Sequence, residues 1–221
     1  RRSCASASEL IMAKYNLKWS FGNEKLKKLD TVSFNIPAFR SADGFKTCPK
    51  AGACATLCYA RQGRYMMPQV AATREFNLAV ARGPKQEFIR QVCEDLSHIG
   101  NRIVRIHDSG DFFSQSYLNA WFHVAEQFPE KKFYAYTKSL HLDSSQCPDN
   151  FQIVQSVGGL MNAAIDPEES HSRIFVSHSD RRAAGYVDGN GNDQPAIDGV
   201  TRIGLVYHGT RNLLERTRCS I

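Results

Sequence analysis

Arg102-Ile103-Val104-Arg105-Ile106-His107-Asp108-Ser109-Gly110-Asp111-Phe112-Phe113-Ser114 passes from a short apolar run into turn-forming polar residues and on into a helix. Arg102–Ile106 reads as a strand. From Ser114 to Phe128, Tyr117, Leu118, Trp121, Phe122, Ala125 and Phe128 fall on one helical face. Lys132–Tyr136 is then the next strand. The same rhythm extends both ways. Upstream, Thr31–Ile36 alternates polar and apolar as a half-buried strand does. Gln69–Arg82 reads as a helix, Gly83-Pro84 breaks it, and Phe88, Ile89, Val92, Cys93, Leu96 and Ile99 mark a second helix. Downstream, Gln152–Ser156, Arg173–Ser177 and Ile203–Tyr207 are strands, and Arg211–Thr217 is a short helix. Six strands with long connections predict an α/β fold with a mostly parallel sheet. It is built as a partial (β/α)6, TIM-like barrel or as an open sheet. Residues 188–199, rich in Gly, Asn and Asp, read as a mobile surface loop. No linker divides the chain, so 1–221 is expected to be a single domain with a cysteine-rich loop at 38–68.

Apolar residues make up 42% of the 221 positions and charged residues 23%, enough to bury a sizeable core beneath a soluble surface. Lys and Arg outnumber Asp and Glu by 28 to 22. The resulting charge of +6 suits an anionic small molecule or nucleic acid as partner. No apolar run approaches the roughly 20 residues that span a bilayer. Nor does an apolar segment follow Arg1-Arg2-Ser3-Cys4, so a cytoplasmic protein is expected.

Seven cysteines in a chain of this size point away from a disulfide scaffold. Three of them form Cys48-Pro-Lys-Ala-Gly-Ala-Cys54-Ala-Thr-Leu-Cys58, a C-x5-C-x3-C spacing in the loop after the first strand. Gly52 and three alanines let that loop wrap around a metal centre. Thiolates select zinc, copper(I) or iron–sulfur clusters. Structural zinc takes four protein ligands, often as CxxC pairs, and no CxxC occurs here. Three cysteines instead suit a [4Fe–4S] cluster with one iron open to a substrate or cofactor. Zinc is the alternative. Cys147 and Cys219 are candidates for a fourth ligand. Cys93 belongs to a helix face, and Cys4 lies near the start of the chain.

Polar residues collect where strands end, the edge at which α/β sheets bind ligands. His107, Asp108, Ser109, Gly110 and Asp111 follow one strand, and Thr137, Lys138 and Ser139 another. His178 and Asp180 follow a third, and His208 follows the last. His107, Asp108, Asp111, Lys138 and His178 are therefore candidate catalytic or proton-transfer residues. Tyr134, Tyr136, Phe112 and Phe113 are core aromatics or stacking surfaces for a base.

Taken in order, Asn23-Glu24-Lys25-Leu26, Phe34-Asn35-Ile36-Pro37-Ala38, Thr47-Cys48-Pro49 through Cys58-Tyr59-Ala60, His107–Phe112 and Tyr134–Ser139 resemble the gene product 88 family of bacteriophage proteins. That resemblance implies a viral origin, hence the host cytoplasm. The layout is also similar, more distantly, to radical S-adenosylmethionine enzymes, partial barrels with three cluster cysteines after the first strand. Their usual spacing is C-x3-C-x2-C. This second resemblance implies Cys48, Cys54 and Cys58 as cluster ligands and S-adenosylmethionine as cofactor. Ser109, Gly110 and Asp111, with Tyr136, would then be the cofactor contacts. Two further readings are a metal-stabilised nucleic-acid-binding protein without turnover and a metal-dependent hydrolase built on the His/Asp rim.

Overall fold

The computed structural model describes residues 15–22 and 24–207. Helix α1 (Glu24–Lys28) leads into β1 (Thr31–Phe34). The long loop that follows holds α2 (Cys54–Leu57) and two turns of 3-10 helix at Tyr59–Arg61 and Gly63–Met66. Next come α3 (Pro68–Arg82), α4 (Lys85–His98), β2 (Ile103–Ile106), α5 (Gln115–Gln127), β3 (Lys132–Thr137) and β4 (Phe151–Ser156). The remaining elements are β5 (His171–Phe175), α6 (His178–Ala183), β6 (Val187–Asp188), α7 (Gln194–Ile197) and β7 (Arg202–Val206). The six predicted strands are all present. The two-residue β6 is a seventh, too short to show any periodicity. The predicted helix at 211–217, His208, Cys4 and Cys219 lie outside the described residues.

All strands join one parallel sheet in the order β1-β2-β3-β4-β5-β7-β6. Among the described residues no ladder joins β1 to β6, so the sheet is not a closed barrel. Parallel crossovers are right-handed, so strands added successively on one side send their connections over one face. The packing agrees. Val32, Phe34, Val104, Ile106, Phe133, Ala135 and Phe151 form a core with α3, α4 and α5 through Leu78, Phe88, Val92, Leu96, Leu118 and Trp121. Trp121 packs edge-on against Phe34 and Phe88 at 5.2 and 5.5 Å. Ser114 caps α5 by accepting from the Tyr117 amide.

Alternate strand residues face the other way. There Tyr134, Val154 and Ile203 pack on Ala196 and Ile197 of α7. The 188–199 segment is thus not the free loop expected from its composition. Its apolar pair and Asp193 seal the second face of the sheet.

Residues 15–21 cover the outer edge of β1. The Ser20 and Ser33 amides each donate to the other's carbonyl, at 2.9 and 2.7 Å. This short strap is fastened by the buried Asp95 of α4. Its carboxylate accepts from the Asn16 amide at 2.7 Å, the Leu17 amide at 2.8 Å and the Trp19 indole at 2.7 Å.

Among the described residues no helix is long and apolar enough to cross a membrane.

Candidate functional site

The cysteine loop leaves β1 and crosses the carboxyl ends of the neighbouring strands to the turn after β4. There the Leu160 amide donates to the Lys50 carbonyl at 2.9 Å, and the Cys54 amide to the Gly158 carbonyl at 3.4 Å. The crossing is close enough to require glycine on both sides. Gly52 has φ +55°, and a Cβ there would lie 3.0 Å from the Gly159 backbone. A Cβ on Gly159 would meet the Lys50 carbonyl at 2.7 Å.

This docking brings the cysteine thiols together. The Cys54 and Cys58 thiols are electrostatically coupled to each other, and Cys48 lies within electrostatic range of both. The neighbouring Cys58 thiol and the Lys138 charge pull the Cys54 thiol below its ordinary range. Burial and Asp111 push Cys48 up to about 12. The Cys58 thiol is pushed up by the neighbouring Cys54 and by burial. All three are free of disulfides. Among the described residues no group of three or more His, Cys, Asp or Glu side chains is placed to hold a metal ion.

Cys147 does not join them. It precedes β4 and sits at the amino edge of the parallel sheet, its thiol donating to the Phe151 carbonyl at 3.2 Å. Burial pushes that thiol up to about 11. Cys93 packs against the helical core, as its helix position implies.

Lys138 and Asp111 are the rim residues within electrostatic range of the thiols. The Lys138 ammonium donates to Ser156 Oγ at 2.5 Å beneath the cysteine loop. Asp111 is fully enclosed. It accepts from Thr137 Oγ1 at 2.6 Å, the Phe112 amide at 2.7 Å and the Lys138 amide at 3.0 Å, and so fixes Lys138 from behind. Ser109 Oγ donates to the Ile36 carbonyl at 2.7 Å, and Gly110 packs on Ile36. Ser109 and Gly110 thus tie the turn after β2 to the end of β1.

Asp108 does face the cysteine loop. Its carbonyl accepts from Tyr59, its Oδ2 accepts from Tyr65 at 3.3 Å, and Arg74 stands 3.7 Å from its Oδ1. His178 is exposed at the start of α6, beyond β5. Tyr136 points to the second face. Its hydroxyl is buried and has no partner, and the same holds for Nε of Arg105, whose guanidinium lies 5.7 Å from the Tyr136 ring. Arg105 also pairs with Asp193 at 2.8 Å, and Asp193 accepts from Tyr134 at 2.7 Å. The importance of Arg105 had a visible signal: a cation in the middle of an otherwise apolar strand.

His107 corrects the expectation of a catalytic rim histidine. Its φ of 69° breaks the strand alternation and puts the ring in the helical core. It lies 2.9 Å from the Tyr117 hydroxyl and against Phe112. Burial and the Arg105 charge pull its pKa down to about 3. The folded protein keeps this ring neutral, while the unfolded chain takes up a proton below about pH 6.5. Stability present above that pH is lost as the pH falls toward 3, by about 2 kcal/mol at about pH 5. In His107→Asn, which tolerates the positive φ, the stability-versus-pH slope between neutrality and about pH 5 should flatten by close to one proton. Urea midpoints across this range measure it, and an unchanged slope would refute the assignment.

The residues on which the hydrolase reading drew are thus dispersed: His107 in the core, Asp111 inside a hydrogen-bond lock, His178 beyond β5.

The family described as Gene product 88 matches residues 11–219. The Gene 88 protein of Mycobacterium phage L5 is 26% identical over 208 residues, covering 80% of this chain and 84% of that protein. The Gene 88 protein of Mycobacterium phage D29 is 29% identical over 143 residues, covering 54% and 59%. No solved structure matches.

Proposed function

The chain belongs to the gene product 88 family, and for this phage-type protein we propose an iron–sulfur centre held by Cys48, Cys54 and Cys58 on the carboxyl edge of a partial-barrel sheet. The observation behind this reading is the docking of one loop across four strand ends, which brings three thiols within electrostatic range of one another, with Lys138 acting on Cys54. A three-cysteine cluster supplies electrons and one open coordination position, the arrangement that S-adenosylmethionine uses in radical enzymes.

The protein's own residues would do the positioning. Lys138, braced by Asp111 and Ser156, places a positive charge beside the thiolates and offsets part of their mutual repulsion. Asp108, Tyr59 and Tyr65 pin the far half of the loop to β2. Ser109 and Gly110 support this frame and are not proposed as cofactor contacts.

Anaerobic reconstitution with iron and sulfide tests the centre. About four irons per chain and a broad absorbance near roughly 400 nm are expected. Both should be lost in Cys54→Ser and Cys58→Ser. Stoichiometric zinc in place of iron, or colour that survives a triple Cys→Ser variant, would refute it. Release of 5′-deoxyadenosine from S-adenosylmethionine with reductant tests the cofactor separately.

A further inference from the structure

Beside the cysteine loop lies a cavity of about 310 Å³ whose walls include Phe39, Arg40, Arg61, Tyr65 and Arg74. We propose that it is a nucleotide site that holds a phosphate on the arginines and a base against the aromatic rings.

Three observations point to a phosphate. Arg40 and Arg61 flank the same Phe39 ring, with their guanidinium carbons 5.3 and 5.2 Å from its centroid. Among the described residues neither has a carboxylate partner. Their hydrogen bonds go to the carbonyls of Gly44 and Ala55, which neutralise nothing. Two cations around one ring repel unless an anion joins them. Arg74, only 8% exposed, forms the back of the cavity. Its Nε is buried without a hydrogen-bond partner, although it touches the Tyr65 carbonyl and Asp108 through its other nitrogens. With one 3.3 Å hydrogen bond to a carbonyl and Asp108 no nearer than 3.7 Å, this guanidinium adds positive charge to the cavity wall. The carboxylate in the lining, Glu75, accepts from the Ala42 amide at 2.8 Å. Three arginines against this one carboxylate leave the walls with an excess of positive charge.

The rings point to a base. Arg74 stacks 4.4 Å from the Tyr65 centroid, which leaves the Phe39 and Tyr65 rings set among guanidiniums as in single-strand binding surfaces. Phe39 is held in place against its own preference. Its φ of 65° is strained for a bulky residue. Its amide donates to Cys48 Sγ at 3.2 Å, and its carbonyl accepts from the Thr47 amide at 3.1 Å. Such strain persists only where the surroundings over-determine it, and it concentrates at ligand sites. The volume lies at the small end of ligand pockets, which suits one nucleotide and excludes a dinucleotide cofactor.

This site rests on the arginines and rings and not on what the thiols bind. The test uses the full chain as purified and a fluorescein-labelled single-stranded oligonucleotide. Anisotropy is measured with thymidine monophosphate, thymidine or inorganic phosphate as competitor. Competition by the monophosphate well above that by thymidine or phosphate is expected. Affinity should fall tenfold or more in the surface variant Arg40→Ala/Arg61→Ala and in Arg74→Gln. The double variant should also show a shallower salt dependence. An oligonucleotide that binds more tightly than the monophosphate identifies a residue within a strand, and equal affinity identifies a free nucleotide. No binding, thymidine competing as well as its phosphate, phosphate alone competing as well as the nucleotide, or full affinity in a folded double variant would each overturn the proposal.

Discussion

Gly110→Ala is expected to destabilise the protein by about 3–4 kcal/mol, from left-handed strain plus overpacking. Gly110 has φ +94°, and a Cβ on it would lie 2.2 Å from Ile36 Cγ1 and 3.3 Å from the Ile36 carbonyl. Ile36 is fully buried and β-branched, so it has no free rotamer into which to retreat. Ser109→Ala in the same turn should cost about 1 kcal/mol, the value of one hydrogen bond. Chemical denaturation with both variants measures the pair. If the Ser-Gly-Asp turn served only as a cofactor contact, Gly110→Ala would leave the denaturation midpoint unchanged. A shift below about 1 kcal/mol would therefore refute the structural role.

Asp95→Ala should cost a similar amount, about 3–4 kcal/mol, because it strands three donors at once. The Asn16 and Leu17 amides and the Trp19 indole all converge on this carboxylate, and Asp95 is only 2% exposed. Trp19 packs edge-on to Phe34 of β1 at 5.6 Å, so its fluorescence reports whether residues 15–21 detach before the rest of the molecule unfolds. A red-shifted emission below the main transition would show the strap opening first. Unchanged emission and an unchanged midpoint would show that Asp95 is not its anchor.

The reach of the sequence follows from how local each signal is. Tyr117, Leu118, Trp121 and Phe122 revealed α5 because a helix repeats its buried positions within a few residues. β2 and β3 were legible from their apolar runs in the same way. The pairing of Arg105 with Asp193 joins residues 88 positions apart, and nothing near either one encodes it. Asp193 lay in a Gly- and Asn-rich segment whose composition suggested a free loop. Yet two adjacent apolar residues, Ala196 and Ile197, suffice to dock it on Tyr134 and Val154. At His107 the polar character after a strand was read correctly as a turn. The side to which it points depends on one φ angle, which the residue types leave open. The cysteine spacing was legible as a cluster of ligand-type residues. The loop's route to Gly158 and Gly159 was not, because it depends on glycines about a hundred residues further along the chain.

The strand order also sets a sequence of events during synthesis. From β1 to β5 each new strand finds its neighbour already made, so the sheet can grow as the chain leaves the ribosome. β6 breaks that pattern, because its ladder partner is β7, made after it and seated between it and β5. Until residues 202–206 emerge, Val187–Asp188 has nothing to pair with and the exposed flank of β5 stays sticky. Among the described residues, the last strand to be made is therefore the wedge between β5 and β6, and a nascent chain stalled short of it leaves both edges unpaired.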